Sequence, residues 1–273
     1  MGVLNLTPDS FSDGGQYLDQ AAAVAQVKLM IEQGATIIDV GGESTRPGAA
    51  RVPLAEEQAR VLPVIQAITA ADWFRAAGAR ISVDTMNAET ARAAIEAGAH
   101  IVNDVSGGLA DPAMLATAAQ LGVPYILSHW RGFSDQMDSL NAYTDVATDV
   151  AAELVVRVVA AEAAGIKPSQ LILDPGLGFA KDAKQNWRLV GNLEPLLALG
   201  YPLLLGASRK RFIAAGLNPA EPASVSNERR DLASAVFAAL TVSQLIWGYR
   251  VHNVQATIDA LAVAEALQVA RAD

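Results

Sequence analysis

The sequence predicts an α/β fold, a single (β/α)8 TIM barrel, and three observations carry that expectation. Eight short apolar runs recur along the chain, at residues 3–4, 37–38, 81–83, 101–102, 125–127, 171–173, 203–205 and 249–251. Helix-like stretches separate them, and alternating strand and helix signals describe parallel β–α units. A polar residue stands at or just beyond the end of each run: Asn5, Asp39, Asp84, Asn103, His129, Asp174, Ser208 and His252. In such a barrel the catalytic groups stand at the carboxyl ends of the strands, so one polar residue there means little and eight together mark a site. The length of 273 residues suits one barrel domain of about 250 residues, here 1–273, better than two small domains.

In chain order, the first strand runs into a polar, Gly-ended loop over residues 7–15, and Asp19 or Gln20 opens a helix ending near Gly34. Strand two, residues 36–40, is followed by Gly41 to Gly48, another flexible loop, and then by a long helix over about 54–77 made uneven by Pro63 and Asp72. Helix three spans roughly 88–97 and stops at Gly98. Helix four is expected to start at Asp111-Pro112, an N-cap followed by proline at the first helical position, and to end near Gly122. A long loop from His129 to about Leu140 precedes an Ala/Val-rich helix that stops at Gly165. Asp174-Pro175-Gly176-Leu177-Gly178-Phe179 closes strand six with a tight turn, and residues 218–227 read as an excursion within the seventh unit. The last helix runs over about 254–267. The first strand begins almost at Met1, so either the numbering starts late or the barrel floor is open, and Asn5 lies near the chain start.

Composition narrows the function. Hydrophobic residues make up 52% of the chain, enough for a barrel interior and a helix–sheet layer. Cysteine is absent, which excludes a disulfide framework, a thiolate metal site and a thiol nucleophile. No apolar run reaches about 18 residues and no charged-then-apolar leader is visible, so a cytoplasmic enzyme is expected. The net charge of −9 argues against nucleic acid or acidic membrane as partners. Basic residues at strand ends run against that average: Arg46, the run Ser208-Arg209-Lys210-Arg211 and Arg250 could together form a local anion site.

Asp84, Asn103 and Asp174 end strands three, four and six, so they can point into one cavity from neighbouring walls. Two carboxylates and an amide accept from ring N–H and amino groups, a pattern that suits a nitrogen heterocycle with a guanidine-like edge. Asn5, Arg250 and His252 lie on strands one and eight, adjacent once a barrel closes. Amide, guanidinium and imidazole there could hold a phosphate or diphosphate, with the asparagine oxygen facing a magnesium ion. Taken singly, each of these residues also fits an Asx turn, an interior polar cluster or a salt bridge. Lys210 and Arg211 follow small residues that let backbone approach a ligand, but the run lacks phosphate-loop spacing. His129 is a weaker candidate, and His100, at the opposite face, reads as structural.

On these residues the chain resembles the dihydropteroate synthase family. The matching segments, in family order, are residues 1–15, 42–48, 82–85, 102–107, 174–179, 206–210 and 250–252. The resemblance implies condensation of 6-hydroxymethyl-7,8-dihydropterin diphosphate with 4-aminobenzoate, with Mg2+ as cofactor. It assigns Asp84, Asn103, Asp174 and Lys210 to the pterin, and Asn5, Arg250 and His252 to diphosphate and metal. Asp84, Asp174, Lys210, Arg250 and His252 are the catalytic candidates. Thr7, Pro8, Asp9 and Phe11 belong to the first mobile loop, and Thr45, Arg46 and Pro47 to the second; both loops help build the aminobenzoate pocket.

The chemistry agrees: diphosphate is a good leaving group once neutralised, the ring stabilises the methylene cation left behind, and the aryl amine needs no strong base. A dissociative, SN1-like substitution is expected, with loops excluding water. Two departures bear on the aminobenzoate: Trp130 replaces a frequent methionine, and Arg211 stands where many members carry serine. A corrinoid methyl-transferring relative would need neither the loops nor the diphosphate clamp, and a silent paralogue would bind without turnover. Apolar positions Ala233, Val236, Phe237, Leu240, Ile258, Leu261 and Val263 on the last two helices lead, with the resemblance, to a homodimer.

Overall fold

The computed structural model describes residues 1–7, 16–44, 51–133, 136–242 and 246–272. Eight parallel strands follow one another in chain order: β1 (Gly2–Asn5), β2 (Ile37–Gly41), β3 (Arg80–Asp84), β4 (Ile101–Asp104), β5 (Tyr125–Ser128), β6 (Leu171–Asp174), β7 (Leu203–Leu205) and β8 (Ile246–Tyr249). The sheet curls shut just past β8. Gly2 bridges Val251 in parallel, and Val3 N–H donates to Val251 O while Val251 N–H donates to Met1 O, both at 3.0 Å. The (β/α)8 barrel expected from the sequence is the fold.

Helices fill the crossovers: α1 (Gln16–Glu32), α2 (Leu54–Ala70) and α3 (Asp72–Ala77), α4 (Ala88–Glu96), α5 (Met114–Leu121), α6 (Val146–Ala163), α7 (Ala183–Gly191) and α8 (Glu194–Leu197), α9 (Arg211–Leu217) and α10 (Asn227–Thr241), then α11 (Val254–Ala272). The single helix expected over 54–77 is therefore two. Ala71 is extended (φ −77°, ψ 133°), and Arg75 donates to the carbonyls of Thr69 and Ala70, which α2 leaves without partners. Pro63 lies inside α2 without ending it. Asp111 does not open α5, which starts at Met114. Its carboxylate instead accepts from Ala113 N–H at 2.9 Å and from Ala88 N–H at 2.8 Å, serving the first turn of the neighbouring α4. The first helix begins earlier than residue 19, and the last continues to Ala272.

Strand side chains alternate between two cores, because their period along a strand is two. Ile101, Ile126, Ile172 and Leu204 form one cluster, with Met1 and Ile37 packed against it, inside the barrel. Their strand neighbours Val102, Leu127, Leu173, Leu203 and Leu205 join the larger core beneath the helices. Two residues beyond each interior isoleucine comes a polar residue facing the same way: Asp39 after Ile37, Asn103 after Ile101, Ser128 after Ile126 and Asp174 after Ile172. An apolar plug thus fills the lower barrel, and a polar layer lies directly above it at the carboxyl ends of the strands.

Candidate active site

Arg250, just past β8, reaches across the lumen from its place beside the closing bridge. Its Nε donates to Asp39 Oδ2 at 2.6 Å and its Nη2 to Asp84 Oδ2 at 2.7 Å. Asn103 Nδ2 donates to the same Asp39 oxygen at 3.0 Å, which orients the amide on β4. Register explains the meeting: Gly41 of β2 pairs with Asp84 of β3, which pairs with Asn103 of β4. Burial pushes the Asp84 carboxyl up to about 7, against Arg250, which lowers it, while the Asp39 charge raises it further. The two carboxylates hold the Arg250 proton more tightly than usual, outweighing its burial.

Asp174 ends β6. Its Oδ1 accepts from Gly176 N–H at 2.7 Å, and its main-chain oxygen accepts from His129 N–H at 2.8 Å. Burial raises its pKa. Gly176 has φ +65°, and a Cβ there would stand 2.2 Å from His129 O, so only glycine fits this close approach. Lys210 lies with its Nζ 3.8 Å from the centre of the Phe179 ring, and burial lowers its pKa to about 8. His252 is fixed by Ser208, whose Oγ lies 3.0 Å from Nδ1 and accepts from the His252 N–H at 3.2 Å.

Asn5, half-buried, closes β1. Thr7 is half-buried beyond it. Pro8, Asp9, Phe11, Thr45, Arg46 and Pro47 lie outside the described residues. The consecutive cations after β7 part company. Arg209, at φ +60°, turns to α10 and grips Asp231 through Nε at 2.8 Å and Nη2 at 2.7 Å, so it does not join the expected anion site. Arg211, exposed on the first turn of α9, lines a cavity of about 660 Å3 with Lys181, Asn186 and Arg230. Trp130 packs edge-on against Phe133, ring centres 4.9 Å apart, in a cleft shared with Met86, Phe179 and Glu43. His100 accepts from Ile81 N–H through Nδ1 at 3.1 Å, away from the mouth.

Two participants carry roles that the sequence reading did not assign. Asp39 carried the signal, a polar residue near a strand end, but its role depends on partners more than sixty residues away. Glu57, in the first turn of α2 and not singled out in the sequence, is buried and accepts from Thr85, Asn87 and Thr90 at 2.6–2.7 Å, bracing the segment after Asp84.

A closed barrel whose carboxyl-end mouth gathers Asp84, Asn103 and Asp174 beside Lys210, Arg250 and His252 defines an enzyme site for a polar ring joined to an anion. The sequence pattern of the family described as pterin binding enzyme matches residues 1–252. The dihydropteroate synthase of Mycobacterium leprae is 48% identical over 264 residues, covering 96% of this chain and 91% of that protein. The structure of Xanthomonas albilineans dihydropteroate synthase with 4-aminobenzoic acid superposes with a TM-score of 0.87 at 42% identity, covering 98% of this chain and 92% of that one. The same enzyme in complex with 7,8-dihydropteroate gives 0.83 at 40% identity, with the same coverage. This chain belongs to the pterin-binding enzymes, within their dihydropteroate synthase branch.

The Asp39–Arg250–Asp84 arrangement sets a direction of titration. Asp39→Asn removes a negative charge that holds the Asp84 pKa up and leaves Arg250 with Asp84 as its remaining carboxylate partner; both changes favour the ionised form. The Asp84 carboxyl carbon, followed by NMR against pH, is expected to titrate lower than in the parent by roughly one unit. An unchanged or higher midpoint would show that Asp39 does not control it.

Proposed function

We propose that this chain condenses 6-hydroxymethyl-7,8-dihydropterin diphosphate with 4-aminobenzoate, releasing diphosphate and giving 7,8-dihydropteroate for folate biosynthesis in the cytoplasm. Among the described residues no helix is long and apolar enough to cross a membrane. The observation that carries the reading is the division of the mouth into carboxylate and amide acceptors on β3, β4 and β6 and cations from the β7 and β8 ends. Asp84, Asn103 and Asp174 accept from the pterin N–H and amino groups, and Lys210 closes over the ring. Arg250 and His252 take the diphosphate oxygens and carry the charge that develops as the leaving group departs.

Among the described residues no three His, Cys, Asp or Glu side chains gather to hold a metal ion. Asn5 offers one neutral oxygen, which fits a magnesium ion that draws its other ligands from water and diphosphate. Bound there, Mg2+ supplies further neutralisation of the leaving group. The carboxylates near the ring favour the methylene cation, so the substitution is dissociative. Arg211 pairs with the aminobenzoate carboxylate, with Phe179 beside the aryl ring. Thr7, with residues 8–11 and 45–47, completes that pocket as the resemblance implies.

We also propose a homodimer through the last two helices. Leu232, Val236 and Leu240 form an exposed stripe at four-residue spacing on α10, and Val263 and Leu267 are exposed on α11. Phe237, expected on this face, is instead buried beside Phe212, their ring centres 6.5 Å apart. Ala233 and Leu261 also pack toward the core.

Three outcomes are expected. Dihydropteroate formation requires Mg2+, stops with a chelator, and falls by roughly a hundredfold in kcat/KM for Asp174→Asn, the size of losing a charge-assisted acceptor in the site. Binding of the diphosphate substrate without turnover would identify a silent relative instead. Deuterium on the reacting methylene gives a secondary isotope effect clearly above unity; a value near unity would rule out the dissociative step. Light scattering at micromolar concentration returns twice the chain mass, with Leu240→Asp shifting it toward the monomer, and a parent monomer would remove the dimer.

A further inference from the structure

A buried lysine lies beneath the turn that carries Asp174, and the substitution chemistry does not use it. Lys181 Nζ sits 3.1 Å from Gly176 O, 3.2 Å from Phe179 O and 3.0 Å from His129 Nδ1. It therefore ties together both halves of the turn between β6 and α7. Gly176 N–H holds the Asp174 carboxylate, and the Phe179 ring underlies Lys210. The turn also stores strain: Ala180, fully buried, is held at φ +46°, where a residue with a Cβ is disfavoured. That conformation turns Lys181 inward, and Asn186 fastens it by accepting from Gly178 N–H at 2.7 Å and donating to Lys181 O at 3.1 Å.

The ammonium has its own support. His129 Nε2 lies 2.9 Å from Glu153 Oε2 on α6, and Glu153 is gripped from the other side by Arg131, whose guanidinium stacks 3.8 Å from the Tyr143 ring centre. Burial and then the Lys181 charge lower the His129 pKa to about 4. A neutral imidazole accepting from Lys181 at Nδ1 donates to Glu153 at Nε2, so the row Lys181, His129, Glu153 is satisfied along its length. Burial lowers the Lys181 pKa as well, to about 7, with Asp174 the leading influence that raises it.

We propose that Lys181 is a positioning residue: from beneath the 174–181 turn it sets Asp174 and the Phe179–Lys210 pair for the heterocycle, with His129 and Glu153 as its buried support. This rests on the reading of Asp174 as a pterin ligand. The test measures binding of dihydropterin diphosphate, without aminobenzoate, by calorimetry for the parent, Lys181→Met and Glu153→Gln, alongside thermal melts and hydrogen exchange. Lys181→Met is expected to melt cooperatively, to exchange faster across 174–181 alone, and to bind about tenfold more weakly or worse, the size of one lost charge-assisted contact. At saturation its kcat is expected to fall by less than about threefold, because the chemistry itself is untouched. Glu153→Gln is expected to weaken binding in the same direction by a smaller factor. A folded Lys181→Met with affinity within about twofold of the parent overturns the proposal. Should that variant not fold, unchanged affinity in Glu153→Gln overturns it equally. A parent that fails to bind the diphosphate would instead defeat the pterin reading itself.

Discussion

One guanidinium held between two carboxylates governs the mouth of this barrel. Arg250 follows the last strand, and the next residue, Val251, bridges the first strand, so the side chain that crosses the lumen is anchored where the barrel closes. Buried acids on neighbouring strands repel one another unless a cation lies between them, and a buried cation is costly unless paired. Arg250 meets both demands at once and joins β8 to β2 and β3. Through Asp39 it also reaches the Asn103 amide, so three walls of the site share one electrostatic knot.

The knot is possible because the layer below it is apolar. Interior positions alternate with positions facing the helices, and the first interior set is filled by Ile101, Ile126, Ile172 and Leu204. Water cannot approach the polar layer from beneath, which is why burial is the leading cause of the raised pKa values of Asp84 and Asp174 and of the lowered value of Lys210. Groups perturbed in this way cluster at functional sites, where a donor-rich partner supplies what water no longer does.

The first seven strand positions and most of the polar layer were legible in the sequence, because both follow from a period of two repeated in similar units. The eighth strand, expected at 249–251, lies instead at Ile246–Tyr249, so Arg250 and His252 follow it rather than lie on it. Asp84, Asn103 and Asp174 could be placed on neighbouring walls from order alone. What a residue touches was less legible where the partner is distant. Arg209 and Lys210 are adjacent, yet one grips α10 and the other lies over Phe179, and the left-handed backbone at Arg209 that separates them has no signal in a run of basic residues. The break at Ala71 follows from Arg75 serving the end of α2, a contact that apolar periodicity does not report. Glu57 and Lys181 were invisible for a related reason: a charged residue on a helix or in a Gly-rich turn reads as solvated until its buried partners are known.

The order of charges explains how an acidic chain can handle an anionic substrate. Asp39, Asp84 and Asp174 stand on the strands themselves, whereas Lys210, Arg250 and His252 come from the segments just beyond strand ends, with Arg250 reaching back between Asp39 and Asp84. On the proposed reading a neutral, donor-rich ring meets the acceptors of β3, β4 and β6 with Lys210 over it, and the anionic tail meets Arg250 and His252. The reverse orientation sets the anion against Asp174 and takes it away from Arg250 and His252. In that proposal the mouth orients the ligand and leaves the bond between ring and anion between the two sets of groups. Carboxylates on one side of that bond and cations on the other favour its heterolysis, positive charge inward and negative charge outward.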